Sequence, residues 1–390
     1  MYKKQSMKWH SYLGVAIGFF IFIAALSGSC IAFYHALDES INPWQVSFAP
    51  SKEAPILDPL AYVETIEANI SNGNVRWISL SLSHQSSFVY FLWPQNIKKP
   101  LENNQVFVDP YSGKIKGMRF WGDITQGWIN LLPFIYKLHY SLSLGSIGEL
   151  IMGIVAFLWA IIIICGVLIT LPKGNKAFFA KWKKSWQWHF KGNLRAKSYH
   201  LHKTLGLWIV PLLFLIAWSS FALNMHELHE KLLGSVMHFQ TEKEQIKDLK
   251  RPRQKPKIGW IQAREKGQSL MKELSLKEGF DIYEESSIMY NDLKGIYIYS
   301  VRSSRDIEKD HGSTSVFLDG NSGVMKASFI PSGKANGDTV SEWLTGLHKG
   351  SIWGFPHRVV LAILGMAVLF FTLSGYYLWW KKKQKLDLNQ

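Results

Sequence analysis

Cysteine is almost missing from this chain of 390 residues, which holds only Cys30 and Cys165. Neither a C-x-x-C pair, a C-x-x-C-H haem-attachment motif nor a cysteine-based metal cluster can be written from two such residues. Both lie inside apolar runs, at depths that differ by roughly 18 Å at the rise of a helix. A disulfide needs Cα atoms within about 7 Å, so no bridge between them is expected. GxGxxG and P-loop motifs are also missing, so no nucleotide or flavin fold of the chain's own is evident. The polar segments contain no nucleophile, base and orienter set, and no catalytic residue is predicted.

Charge is scarce in four stretches, 12–35, 149–171, 204–225 and 357–380. Each approaches the ~20 apolar residues that a hydrocarbon core of about 30 Å demands, and each reads as a membrane span. Trp9, Trp208, Trp353, Trp379 and Trp380 lie near their ends, as interfacial anchors do. Mean hydropathy near zero hides this pattern, because ordinary polar segments dilute it.

The net charge of +15 is located by the spans. Residues 1–10 hold 3 Lys, 172–203 hold 9 Lys or Arg, and 381–390 hold 4 Lys against Asp387, so the rest of the chain is neutral. The positive-inside rule then makes both termini and the middle loop cytoplasmic and sends the two large polar segments outside. Topology accounts for the basic excess, and no nucleic-acid partner is expected. The first apolar run exceeds the h-region of about 7–15 residues in a signal peptide, so it is read as an uncleaved anchor.

The chain is written twice. HSYLG at 10–14 returns as HKTLG at 202–206, and VFVDPYSGKI at 106–115 is echoed by VFLDGNSGVM at 316–325. Leu138-His139 is matched by Leu347-His348, and Gly166 and Gly375 each lie 27 positions beyond those histidines. The expected domains follow: 1–35, cytoplasmic N-terminus and first span; 36–148, first outer module; 149–171, second span; 172–203, basic loop. Then come 204–225, third span; 226–356, second outer module; 357–390, fourth span and basic tail.

Each outer module reads as small and α+β. The first has a helix-like segment at 55–72 and strands at 75–82, 87–93 and 105–109; the second has a helix about 258–275 and strands about 279–284, 295–302 and 314–319. Asp109 and Asp319 each precede a Gly-containing turn and are assigned to capping their own backbone. The lysine-rich 243–257 reads as a linker, and short amphipathic segments are expected at 128–142 and 340–349. Glycines at 145, 148, 350 and 354 permit the chain to bend after them. Gly14 and Gly18 make a small-residue face for helix packing.

The 13 histidines are unevenly placed. An ionisable residue at membrane depth is costly and is read first as functional. His10 with His202, and His139 with His348, are related by the repeat and rank first; His35, His200, His226 and His357 rank second. Paired imidazoles from opposing helices, without Cys or carboxylate partners, can supply the axial ligands of a haem, which would be b-type in the absence of an attachment motif. Zinc or copper is the alternative, but a closed zinc site wants four protein ligands, usually with Cys or Asp/Glu. His10 and His202 would lie near one membrane surface and His139 and His348 near the other. Two haems, stacked, could then carry electrons across the bilayer.

These residues resemble the PepSY-associated transmembrane family, in particular its ferrisiderophore-reductase-like members of the bacterial inner membrane. The likeness rests on HxxLG at 10–14 and 202–206, SG at 27–28, the VD-P-SG strand and turn at 106–113, LH at 138–139 and 347–348, and SGYYLWW at 374–380. The second turn, at 320–323, departs from it in lacking the proline. The resemblance implies a membrane α-helical fold: a four-transmembrane-helix bundle from an internal duplication, with two periplasmic α+β PepSY-like modules. It also implies b-type haems between the helices, with His10, His139, His202 and His348 as ligands. The implied activity is reduction of a ferric siderophore or other iron(III) chelate in the periplasm, releasing iron(II), with electrons from a cytoplasmic or membrane donor. The alternative is a membrane-anchored PepSY protein that binds peptides or modulates a protease, without redox activity.

Overall fold

The computed structural model describes residues 2–51, 53–82, 87–174 and 177–387; His84 lies outside the described residues. Three helices, α1 (Tyr2–Ile31), α5 (Gly145–Thr170) and α12 (Phe355–Asp387), are long and apolar enough to cross a membrane. α1 packs along both α12 and α5. Gly18 of α1 accepts the ring of Tyr376, whose hydroxyl donates to the Val15 carbonyl at 2.8 Å. Gly14 faces nothing within 4 Å, so only one of the two glycines expected at this seam is in it.

The third apolar stretch, expected as a span over 204–225, is bent and made of two helices. α7 (Leu194–Trp208) and α8 (Val210–Asn224) meet at 73°. Pro211 stands in the first turn of α8. It lacks an N–H and its ring crowds the carbonyl four residues back, so the helix kinks or breaks here. The break falls just before it, at Ile209 (φ −108°, ψ 11°).

The polar segments, expected as two outer modules, pair their strands in one eight-stranded sheet. Its strands are β1 (Gly73–Ser79), β2 (Phe88–Pro94), β3 (Gln105–Val108), β4 (Ile115–Arg119), β5 (Ile282–Asn291), β6 (Ile296–Ser303), β7 (Thr314–Asp319) and β8 (Met325–Phe329). The order is β4-β3-β2-β1-β5-β6-β7-β8, with every pair antiparallel. β1 and β5 join the halves through Trp77 opposite Met289 and Ile78 opposite Ile288. One face is covered by α3 (Val63–Asn69) and α10 (Trp260–Glu278), and Ile66, Ile78, Met271 and Ile288 share a common apolar core there. β4 and β8 were not anticipated. Each follows its Asp turn, in which Asp109 and Asp319 accept from the backbone amides two and three residues on.

The lysine-rich 243–257 is a fastened strap, not a free linker. Gln254 accepts from Arg76 at 2.6 Å and donates to Asp292 at 3.0 Å, bridging β1 and the turn after β5. Short helices connect sheet and bundle: α2 (Tyr34–Ile41), α4 (Leu131–Ser141), α9 (His226–Leu233) and α11 (Asn336–Lys349); α6 (Phe178–Lys183) lies in the basic loop. After α11 Gly350 (φ 72°) and Gly354 (φ 63°) take the left-handed conformation, and after α4 Gly145 (φ 60°) does so together with Leu142 (φ 52°) and Ser143 (φ 58°), where glycine would take it more cheaply.

A candidate site built from two histidine pairs

The four first-ranked histidines meet in two pairs, each drawing one residue from either half of the sequence. His10 of α1 and His202 of α7 have ring centroids 6.2 Å apart, nearly perpendicular at 88°. His139 of α4 and His348 of α11 also stand at 6.2 Å, tilted by 49°. On α1, His10 of the first pair and Ser27, which touches the second, are seventeen residues apart, or about 25 Å along the helix. The buried side chains between them, Ile17, Ile21, Ile163, Ala217 and Leu364, form the apolar core of the bundle.

Every one of these rings is held by Nδ1. His10 Nδ1 lies 3.0 Å from the Ile162 carbonyl, and His139 Nδ1 lies 3.0 Å from the Ala24 carbonyl and 3.2 Å from Ser27 Oγ. His202 Nδ1 pairs with Ser374 Oγ at 2.8 Å, and His348 Nδ1 with Ser219 Oγ at 2.9 Å. Carbonyl oxygens accept only, so at His10 and His139 the proton sits on Nδ1 and the lone pair on Nε2. A hydroxyl can serve the same role at the other two. Anchoring one ring nitrogen in this way fixes both the tautomer and the orientation of the other.

Glycines shape the space beside the rings. A Cβ at Gly28 would stand 2.9 Å from Cε1 of His139, and one at Gly166 would stand 3.2 Å from Cε1 of His10. Gly375 faces His202 at 3.7 Å in the same sense. All four histidines are half-buried. On α4 and α11, burial pushes His139 down from the usual histidine range and His348 down to about 3, with His139 and Lys349 adding to the second effect. Both are neutral imidazoles at physiological pH, the form that binds metals.

The second-ranked histidines do not join these pairs. His35, on α2, sits edge-on to Tyr34 and is pushed down to about 4, chiefly by burial. His200 lies beside His189 at 5.2 Å, His226 faces Glu230 at 3.3 Å, and His357 packs on Trp353 at 4.9 Å. Among the described residues no group of three or more His, Cys, Asp or Glu side chains is placed to hold a metal ion. Two imidazoles alone make an incomplete site for a bare ion, whereas a macrocycle brings four donors of its own.

The serines were not assigned from sequence, although the repeat carries a signal for them. Ser27 and Ser219 each lie 17 residues after the histidine of an HxxLG motif, and each holds the histidine of the Leu-His dipeptide in its own half.

Apolar helices long enough to cross a membrane, joined to a polar antiparallel sheet, mark an integral membrane protein. The chain matches the PepSY-associated TM region over residues 7–382 and belongs to that family. Comparison with curated proteins gives no match.

Proposed function

We propose that the protein is a haem-b oxidoreductase of the bacterial inner membrane that passes electrons across it to iron(III) chelates in the periplasm, releasing iron(II). The observation that carries this reading is the meeting of four repeat-related histidines as two cross-half pairs at opposite ends of one apolar bundle. Both pairs stand at 6.2 Å between ring centres, and each pair would hold one haem through its two imidazoles.

In this reading four spans arise by internal duplication, α7 and α8 making one of them. The two four-stranded halves of the sheet are PepSY modules in the periplasm, and the basic termini and middle loop are cytoplasmic. His10 and His202 would hold the haem nearer the cytoplasm, and His139 and His348 the one nearer the periplasm. Haem, when bound, supplies one-electron chemistry at a potential set by its ligands and surroundings. The carbonyls of Ile162 and Ala24 and the hydroxyls of Ser27, Ser374 and Ser219 orient the imidazoles. The apolar side chains between the pairs keep water from bridging them. Iron(III) is hard and oxygen-bound, and iron(II) is softer and held more weakly by such ligands, so reduction releases it.

The purified protein is expected to show a Soret band, and a reduced-minus-oxidised difference spectrum of low-spin haem. Proteoliposomes loaded with a reductant should reduce an external iron(III) chelate, read with an iron(II)-specific dye. A colourless protein sinks the proposal, and a protein that reduces no chelate but keeps its cellular function after loss of all four histidines favours a binding or regulatory role.

Glycine substitution gives a finer test on one helix. Gly28→Ala puts a methyl group against the His139 ring and is expected to weaken haem retention at that site about tenfold, as disturbing a ligand's support does. Gly14→Ala meets nothing within 4 Å and should leave the spectrum unchanged. Equal behaviour of the two variants would show that Gly28 does not shape the site.

A further inference from the structure

On the sheet face turned away from α3 and α10, one register row crosses four strands: Trp77 opposite Phe91, Phe91 opposite Gln105, and Gln105 opposite Arg119. Alternation assigns the face, because Phe88, Tyr90 and Leu92 enter the core, leaving Phe91 and Trp93 on the other side. At one end of the row Arg119 is bound to Asp38 of α2. Beside the row, where β2 and β4 end and β3 begins, Trp77, Phe91, Trp93 and Trp121 border a groove of 680 Å³, within the range of about 300–1,000 Å³ usual for small-molecule sites.

Ten residues line this groove; five are aromatic and none is charged. The lone amide, Asn104, already accepts from the Trp121 backbone N–H at 2.7 Å. A strongly charged ligand would shed water here and find no counter-charge. Planar rings would find aromatic faces and edges on several sides. A peptide adding as a strand has nowhere to pair, since β1 and β2 each have both neighbours in the sheet.

The groove also adjoins the second histidine pair. Trp121 stands 5.8 Å from Tyr136, and its Nε1 donates to the Tyr34 hydroxyl at 3.4 Å. Tyr136 lies one turn before His139 on α4. A molecule seated in the groove therefore touches a wall that packs directly on the helix carrying His139.

We infer that this groove binds an iron(III) chelate of low net charge whose chelating arms are planar aryl groups. The inference rests on the proposed function and gives it a substrate class. Binding is tested without redox chemistry, by calorimetry on the full-length protein with two gallium(III) complexes, one of a phenol-oxazoline chelator and one of a linear trihydroxamate. The aryl complex is expected to bind about tenfold more tightly or better. Trp93→Ala should erase about tenfold of that affinity and Trp93→Phe restore most of it. Trp93 is 47% exposed, so its removal should leave the thermal midpoint in place, which is measured alongside. Equal affinity for both complexes, no binding of either, or indifference to Trp93→Ala and Trp77→Ala in folded protein overturns the inference. The variant lacking both His139 and His348 should still bind the aryl complex. Gallium binding by a protein that holds no haem would therefore defeat the proposed function alone, and a haem-loaded protein without gallium binding would defeat the groove alone.

Discussion

Replacing His10 and His202 together by alanine is expected to remove no more haem than replacing either alone, while His10→Ala with His139→Ala removes all of it. The reason is the cross-half pairing: His10 faces His202 and His139 faces His348, so the first double variant damages one site twice and the second damages both. Variants within one site share their effect, and variants in separate sites about 25 Å apart add. Each single substitution removes one of the two imidazoles that would hold the haem at its site, so haem and the low-spin signature should be lost there together. The measurement is haem per protein, with the Soret and α bands recorded for four single and three double variants. His139→Ala with His348→Ala completes the set and should match its own singles. If His10→Ala with His139→Ala behaves like a single variant, the pairing runs within each half and the arrangement of the helices is wrong. If all seven keep wild-type spectra, these histidines do not hold haem.

Much of this arrangement is legible in the sequence because it is repeated. HxxLG and Leu-His place four histidines at matching positions, and the apolar runs place them at two depths. Spacing cannot show which residue faces which. That depends on α1 lying against both α5 and α12, a long-range packing choice that no local pattern encodes. The carbonyls of Ala24 and Ile162 were equally hidden, since every residue carries one. Pro211 was visible in the middle of an apolar run and marked the 73° break. Reading 204–225 from hydrophobicity alone left out the missing N–H that bends it. β4, IKGMR, and β8, MKASF, carry weak alternation and are recruited as the second arms of hairpins. The union of the halves through β1 and β5 pairs residues more than 200 positions apart, so neither strand's own pattern announces it.

Arg119→Ala should be the most damaging change outside the helical bundle. The guanidinium is 1% exposed and lies on Asp38, itself 3% exposed, with Nη1 to Oδ1 at 3.0 Å and Nη2 to Oδ2 at 2.8 Å. Its remaining donors reach Gln105 at 2.7 Å and the Ile129 carbonyl at 2.7 Å, while Asn42 and Gln45 also donate to Asp38. Three parts of the fold meet here: β4, α2 just beyond α1, and the turn that leads into α4. Removing one partner strands a buried carboxylate, a loss of about 3–5 kcal/mol in comparable pairs, most of it the cost of the uncompensated charge. The thermal midpoint should fall sharply, and protease should cut the sheet domain more readily. Replacing both partners, Arg119→Met with Asp38→Leu, removes the charge along with its counter-charge and should recover much of the loss. The same contact gives the change a functional direction. Ile129 lies two residues before the helix that carries His139, so loosening it should degrade the His139–His348 site before the His10–His202 site, which α1 and α7 hold. Arg119→Ala protein that melts within about 1 kcal/mol of wild type would show that the pair contributes little net stability, as some buried ion pairs do. Equal loss at both histidine pairs would show that the network supports the domain as a whole and does not selectively fix α4.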